Sequence, residues 1–177
     1  DEGSNCFWIL GKGTISVFMP ENKEITSVFS NDSLTCIGIA GSRLIAGTHN
    51  GYFEIDTKTK KQTGEHVTDM PWTDLTTIEE IDRNLWFGST WGAFMLKDDG
   101  KFNYYASQRW LPSDKVVDIA KGPDNSVLIL TDKGLGRICF QEMTLEELAQ
   151  TAFPHPTLSE SIAEAARDAL GAAIYLP

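Results

Sequence analysis

The stretch Leu85-Trp86-Phe87-Gly88-Ser89-Thr90-Trp91-Gly92 combines an apolar run, a break of small residues and a closing glycine. The same cassette occurs at 7–13, 44–51 and 127–134. The glycines that close the four cassettes lie 38, 41 and 42 residues apart along the chain. A period of about 40 residues is typical of arrays whose units are each too small to bury their own apolar face. The sequence therefore predicts a repeat architecture.

Additional short strands surround the last three cassettes. An apolar strand precedes each of them, at 34–39, 75–78 and 116–120, and an outer strand follows the second and third cassettes. Each unit then holds three or four short antiparallel strands, which is the pattern of a propeller blade. The predicted fold class is mainly β: a partial or open β-propeller of three to four blades, with three full units and a partial first one, followed by a short α-helical tail.

The composition changes near residue 141, where strand-forming residues give way to Ala, Glu and Leu in helical spacing. Thr144-Leu145-Glu146-Glu147 and Thr157-Leu158-Ser159-Glu160 are capping boxes, which satisfy free N–H groups where a helix begins. We expect one helix that runs from the first box through Gln150 or Ala152. A second should end near Leu170, with Gly171 as its stop. The predicted domains are a propeller segment at 1–140 and a helical tail at 141–177.

The charge balance excludes one class of partner. The net charge is −10 and the pI is about 4.7, whereas binding to nucleic acid needs clustered Lys and Arg. We expect no membrane span, because a transmembrane helix needs about 20 consecutive apolar residues and no run in the sequence approaches that length. No leader segment is visible, and the chain begins at Asp1 rather than Met, so the compartment is left open.

Metal binding is also disfavoured by the sequence. Cys6, Cys36 and Cys139 lie in apolar strand patterns without metal-ligand spacing, and we expect buried thiols. His49 lies in a hairpin turn and His66 in a loop, and neither has a second ligand nearby. The prediction is that the chain binds no metal and no cofactor.

The cassettes at 44–51 and 85–92 resemble the two-component-regulator propeller repeat. Its consensus is a strand containing tryptophan, then Gly-Thr and a glycine turn; the likeness extends through Tyr104 to Ile138 and covers about residues 7–140. The resemblance implies a β-propeller and, as is common in the family, extracytoplasmic sensing or ligand binding. Closed propellers have about 4 to 8 blades, so we expect further blades, closure with a second copy or open ends.

Candidate binding residues lie in the loops between the predicted strands. Trp72, Trp91 and Trp110 occupy loops that converge at one end of a propeller, where its ligands usually bind. Their rings can stack on a sugar or a peptide side chain, with Arg109 as the partner of an anion. The alternative is that each tryptophan packs between blades, which is the more common role.

Three carboxylates lie near the same loops and suggest an enzymatic alternative. Asp69, Asp74 and Asp114 can supply the acids of a propeller-type glycan-active enzyme, such as a lyase or hydrolase. Asp residues more often stabilise turns, because their side chains accept hydrogen bonds from nearby backbone N–H groups. The sequence leaves both interpretations open.

The tail carries a second resemblance. Thr144 to Leu170, and above all His155-Pro156-Thr157-Leu158-Ser159-Glu160, is similar to the C-terminal end of dihydrolipoyl dehydrogenase, a flavin disulfide oxidoreductase. The resemblance implies that His155 is a base facing the redox disulfide of a partner subunit and that Glu160 orients it. The chain has no redox cysteine pair and no dinucleotide-binding glycine motif. A recruited or chimeric junction, with His155 as a capping or exposed residue, is therefore the favoured interpretation.

The sequence thus predicts a sensor-like β-propeller module that binds a small ligand, a glycan or a protein at its loops without catalysis of its own. The alternatives are a fragment of a dihydrolipoyl dehydrogenase-like oxidoreductase and a propeller-type glycan-active enzyme. The candidate ligand-binding residues are Trp72, Trp91, Arg109 and Trp110. A homodimer or further blades would complete the array.

Overall fold

The computed structural model describes residues 6–97, 99–107, 109–140, 149–150 and 160–171. The chain divides into two compact units, Asp1–Cys139 and Phe140–Pro177, which are described separately. The described residues of the first unit form fourteen strands in four antiparallel sheets. The predicted mainly β class, with a short helix near the C-terminus, is confirmed.

Within each sheet the strands follow chain order, and each pairs with the next. The first sheet consists of β1 (Phe7–Gly11), β2 (Thr14–Met19) and β3 (Glu24–Ser30). The second consists of β4 (Leu34–Ala40), β5 (Arg43–Thr48), β6 (Gly51–Asp56) and β7 (Gln62–Val67). The third consists of β8 (Leu75–Ile81), β9 (Asn84–Ser89), β10 (Gly92–Leu96) and β11 (Phe102–Tyr105). The fourth consists of β12 (Val116–Gly122), β13 (Ser126–Thr131) and β14 (Gly134–Cys139).

The sheets are the blades of an open propeller. The first strands of the last three sheets are neighbours, because β4 contacts β8 and β8 contacts β12. They are therefore the inner strands of their blades. By comparison with the two four-stranded blades, the described part of the first sheet lacks an inner strand and that of the fourth lacks an outer strand. The described residues thus form two four-stranded and two three-stranded blades, in agreement with the predicted three to four blades of antiparallel strands and with a partial first unit.

The repeat is visible in the register of the inner strands. The pairing shifts at the start of each one, between Leu34 and Cys36, between Leu75 and Thr77, and between Val116 and Asp118. These β-bulges are 41 residues apart. A bulge bends the strand and leaves one residue outside the ladder. Each inner strand is therefore bent at the same point.

Apolar side chains fill the junctions between neighbouring blades. Between the second and third sheets, Phe87 stacks on Tyr52 at 5.4 Å and on Phe94 at 4.9 Å between ring centroids. Glycine permits the closest approach, since a Cβ on Gly38 would lie 2.5 Å from the carbonyl oxygen of Ile78. Ile15, Leu44, Ala46 and Ile55 form a second cluster, which joins the first and second sheets.

The prediction of three buried thiols is wrong at one position. Cys6 and Cys36 are buried, and burial raises the pKa of the Cys36 thiol to about 12, partly offset by a hydrogen bond from Thr35. Cys139 is exposed. It lies at the end of β14, where the fourth sheet has its outer edge, so no further described strand of that sheet covers it.

The described part of the second unit is helical. Helix α1 (Glu160–Ala169) ends where the sequence predicts, because Gly171 has a φ of 70° and its N–H donates to the carbonyl of Asp168 at 2.9 Å. Ala149 and Gln150 are also helical, within the predicted first helix. None of the described helical segments has the length and apolar character that a bilayer crossing requires.

Candidate functional site

One end of the first unit gathers the loops in which the candidate residues lie. Because strands alternate in direction, the turns 49–50, 90–91 and 132–133 lie at the same end as the connections 31–33, 68–74 and 106–115. We call this end the loop face. Backbone hydrogen bonds join its parts: the N–H groups of His49, Thr90 and Asp132 donate to the carbonyls of Ser33, Asp74 and Lys115, respectively.

A buried hydroxyl fixes each of these three turns. The Oγ1 of Thr48, the Oγ of Ser89 and the Oγ1 of Thr131 donate to the carbonyls of Gly51, Gly92 and Gly134 at 2.7–2.8 Å. The same hydroxyls accept the N–H groups of Asn50, Trp91 and Lys133 at 3.0–3.3 Å. Each hydroxyl thus satisfies two backbone groups of its turn and holds the turn in one conformation.

Asp74 connects the second and third blades across the loop face. One carboxylate oxygen lies 2.6 Å from Nδ1 of His49, and the other accepts the hydroxyl of Thr90 at 3.0 Å. A carboxylate that accepts the Nδ1 proton leaves Nε2 as the acceptor of the ring. The His49 side chain is largely exposed, so the imidazole can accept a hydrogen bond from a ligand. Sequence reasoning identified Asp74 but not its pairing with His49.

Trp91 is the most open aromatic residue of the turns. Its side chain is 64% exposed, and it directly follows Thr90, which is bound to Asp74. Its backbone N–H is held by Ser89. The structure therefore presents an indole ring to solvent on a fixed turn beside the His49–Asp74 pair. This position suits the predicted role in binding.

Arg109 and Trp110 form a second polar and aromatic group on the loop face. The guanidinium of Arg109 lies 5.0 Å from the ring centroid of Trp110, within the range of a cation–π interaction. The Trp110 ring meets Tyr105 edge to face at 5.7 Å, and the backbone N–H of Trp110 donates to the carbonyl of Ala106 at 3.2 Å. Both residues remain exposed, so the guanidinium is available to an anionic group.

Trp72 has a packing role. Its ring contacts Phe94 and Tyr104 edge to face, both at 6.0 Å, and a Cβ on Gly92 would lie 2.9 Å from the indole. Pro112 covers Gly134 at the equivalent place in the fourth sheet. The connection that carries Trp72 is thus pressed against the third blade. A contact between Trp72 and a ligand stays a prediction.

The other candidate acids and histidines have local roles. Asp114 accepts the N–H of Ser107 at 2.7 Å, and this hydrogen bond lowers the pKa of the Asp114 carboxyl below its usual value. Asp69 is exposed, and His66 stacks on Phe53 at 4.2 Å on β7. Within the part of the chain that the structure describes, no three His, Cys, Asp or Glu residues are grouped to hold a metal ion.

The oxidoreductase candidates fall in the second unit. His155 lies outside the described residues, and Glu160 is described only as the first residue of α1. The pairing of this base with its orienting carboxylate therefore stays a prediction.

No family model and no curated protein matches the chain. Its fold is similar to solved structures. Extracellular domains of two provisionally assigned hybrid two-component systems of B. thetaiotaomicron, BT4673 and BT3049, are 21% and 23% identical to it, with TM-scores of 0.65 and 0.61. The matches cover 76% and 75% of this chain, and 19% and 20% of those chains. A streptogramin B lyase is 16% identical, with a TM-score of 0.59, over 75% of this chain and 47% of the lyase.

These comparisons establish the fold alone. The chain spans about a fifth of the length of the two extracellular domains. The likeness of fold supports the propeller part of the resemblance of residues 7–140. The comparisons give no support to the resemblance of the tail to dihydrolipoyl dehydrogenase. Because a lyase and sensor domains have similar blades, fold does not decide between binding and catalysis. The first unit is a segment of β-propeller similar to those of extracellular sensor domains.

Proposed function

We propose that the loop face binds a glycan and that the first unit is a sensor-like binding module without catalysis of its own. The observation that carries the proposal is the exposed ring of Trp91 on a fixed turn beside the His49–Asp74 pair. An apolar ring face next to directed polar groups is the chemistry that recognises a sugar, whose own faces are apolar and whose rim carries hydroxyls.

Two polar groups of the loop face define the expected ligand further. When Nδ1 of His49 donates to Asp74, Nε2 can accept a hydrogen bond from a sugar hydroxyl. Arg109 supplies a fixed cation on Trp110, which favours a sugar that carries a carboxylate. An acidic oligosaccharide, such as one containing uronic acid, uses both groups.

The structural relatives support the sensing part of the proposal by analogy. Three of them are extracellular domains of provisionally assigned one-component and hybrid two-component systems, and their blades are similar to those of this chain. We infer that this chain acts in the same setting, as part of an extracytoplasmic sensor. This step rests on the likeness of fold and not on the site.

The binding proposal is tested by calorimetric titration of the purified chain with neutral and uronate-containing oligosaccharides. We expect binding that weakens at least about tenfold in Trp91→Ala, because the stacking surface is lost. Arg109→Ala should weaken only the uronate-containing ligands. Phe7→Ala is the matched control, since Phe7 is 58% exposed but lies at the end of β1 that is far from the loop face.

Two results would contradict the proposal. One is the absence of binding by every oligosaccharide at millimolar concentration. The other is binding that Trp91→Ala and Phe7→Ala weaken equally, because the loop face would then have no special part in it.

An enzymatic function is a second candidate, and the His49–Asp74 pair is the observation that favours it. A carboxylate at Nδ1 fixes the tautomer in which Nε2 can take a proton as a general base. A propeller-type glycan-active enzyme would release shortened or unsaturated products on incubation with the bound oligosaccharide. Products that disappear in His49→Gln, while binding persists, would establish catalysis and refute a purely binding role.

The oxidoreductase alternative depends on His155 and Glu160, and no described contact favours it. Its test is absorbance of the purified chain at about 450 nm, where a bound flavin absorbs. We expect none.

A further inference from the structure

The first and fourth sheets each have an apolar face that no other described blade covers. On the first sheet this face carries Phe7, Ile9 and Ile25, which are 58%, 42% and 66% exposed. On the fourth sheet it carries Leu130 and Leu135, which are 42% and 59% exposed. We call these the leading face and the trailing face. Because both are exposed in one copy, they do not cover each other.

The two faces are the two sides of one kind of junction. Leu135 follows the glycine that closes its turn, as Tyr52 does in the second sheet. Ile9 stands two residues before its turn, as Phe87 does in the third sheet. Inside the array, Tyr52 stacks on Phe87 and both are buried. The trailing and leading faces therefore place apolar residues at the positions that pack together between the second and third blades.

We propose that the trailing face of one copy packs against the leading face of a second copy, with Leu135 against Ile9, and that two such junctions close a dimer. A second copy is the expected partner of both faces, because each copy has both halves of an interior junction. Two four-blade arrays give eight blades, within the range of about 4 to 8 known for closed propellers. Head-to-tail contacts that close in this way form a ring rather than a filament.

The dimer is tested by size-exclusion chromatography with light scattering, independently of any ligand. We expect a mass of about 39 kDa at about 50 µM, twice the 19.6 kDa of the chain. Ile9→Glu and Leu135→Lys should each be monomeric, because each places a charge in both junctions. Tyr104→Lys, an equally exposed site on another surface, should remain dimeric.

Mixing the two monomeric variants makes the test specific. In a mixed dimer one junction is native. In the other junction the introduced glutamate faces the introduced lysine, so the two charges attract. The dimer should therefore return only in the mixture. Circular dichroism checks that each variant is folded. Where a charged variant is not folded, the serine variant at the same position, Ile9→Ser or Leu135→Ser, replaces it.

The proposal is overturned if the unmodified chain is a monomer up to about 500 µM, or if its assembly is larger than a dimer. It is also overturned if both single variants remain dimeric, or if the mixture stays monomeric. A monomer would mean either that the array tolerates open ends or that further blades cover the two faces.

Discussion

Removing the hydroxyl of Ser89 should destabilise the third blade by about 2 kcal/mol. The Ser89 side chain is fully buried, and its oxygen donates to the Gly92 carbonyl at 2.7 Å and accepts the Trp91 N–H at 3.1 Å. Each such bond contributes about 0.5–1.5 kcal/mol net, so Ser89→Ala loses about 1–3 kcal/mol. The cavity is one oxygen atom in size and adds little.

Urea unfolding measures this loss in the first unit alone. All five tryptophans lie within residues 1–140, so their fluorescence reports the propeller segment and not the tail. Ser89→Thr is the conservative control, because threonine occupies the equivalent positions 48 and 131. Ser27→Ala, on the exposed side of β3, should change the free energy of unfolding by less than about 0.5 kcal/mol. If Ser89→Ala also changed the free energy of unfolding by less than about 0.5 kcal/mol, the reasoning would be refuted.

Three other predictions follow from the packing, the thiols and a loop carboxylate. Gly88→Ala should lower the free energy of unfolding by about 1–3 kcal/mol in the same urea assay, because its Cβ would lie 2.6 Å from side-chain carbons of Thr77 and Val116. Iodoacetamide at about pH 8 should label Cys139 quickly in the folded chain and leave Cys36 unmodified, since burial raises the pKa of Cys36 to about 12; mass spectrometry of the peptides checks this. The hydrogen bond from Ser107 lowers the pKa of Asp114, so its stabilisation should be complete above about pH 4 and lost as the pH falls further, which amide exchange at Ser107 measures.

The repeat architecture could be predicted from the sequence because its signals are local. A glycine turn after an apolar run determines a hairpin within ten residues, and three copies in one register determine the blade. The strand bounds around residues 44–51 and 85–92 follow this pattern. Cys139 was harder to place, because a strand pattern does not say whether another strand lies beside it.

The candidate site could be predicted only in part, because loop contacts depend on pairing between units. Trp72 and Trp91 look alike in the sequence, yet one packs over Gly92 and the other is exposed. His49 and Asp74 are 25 residues apart and meet because the second and third blades are adjacent. A signal was present nevertheless, since Asp74 directly precedes an inner strand, 41 residues after Ser33 and 41 before Lys115.

These equivalent positions indicate where the chemistry of the chain can vary. The backbone bonds from His49 to Ser33, from Thr90 to Asp74 and from Asp132 to Lys115 are the same bond in three blades, at 3.1–3.3 Å. These bonds join backbone atoms only, so they form whatever side chain each residue has. The side chains at these positions can therefore differ from blade to blade. Among the three described inner strands, only that of the third blade directly follows a carboxylate residue, and the side chains of two turns bind this carboxylate. The repeats therefore build the frame, and recognition by the loop face depends on the residues in which one repeat departs from the others.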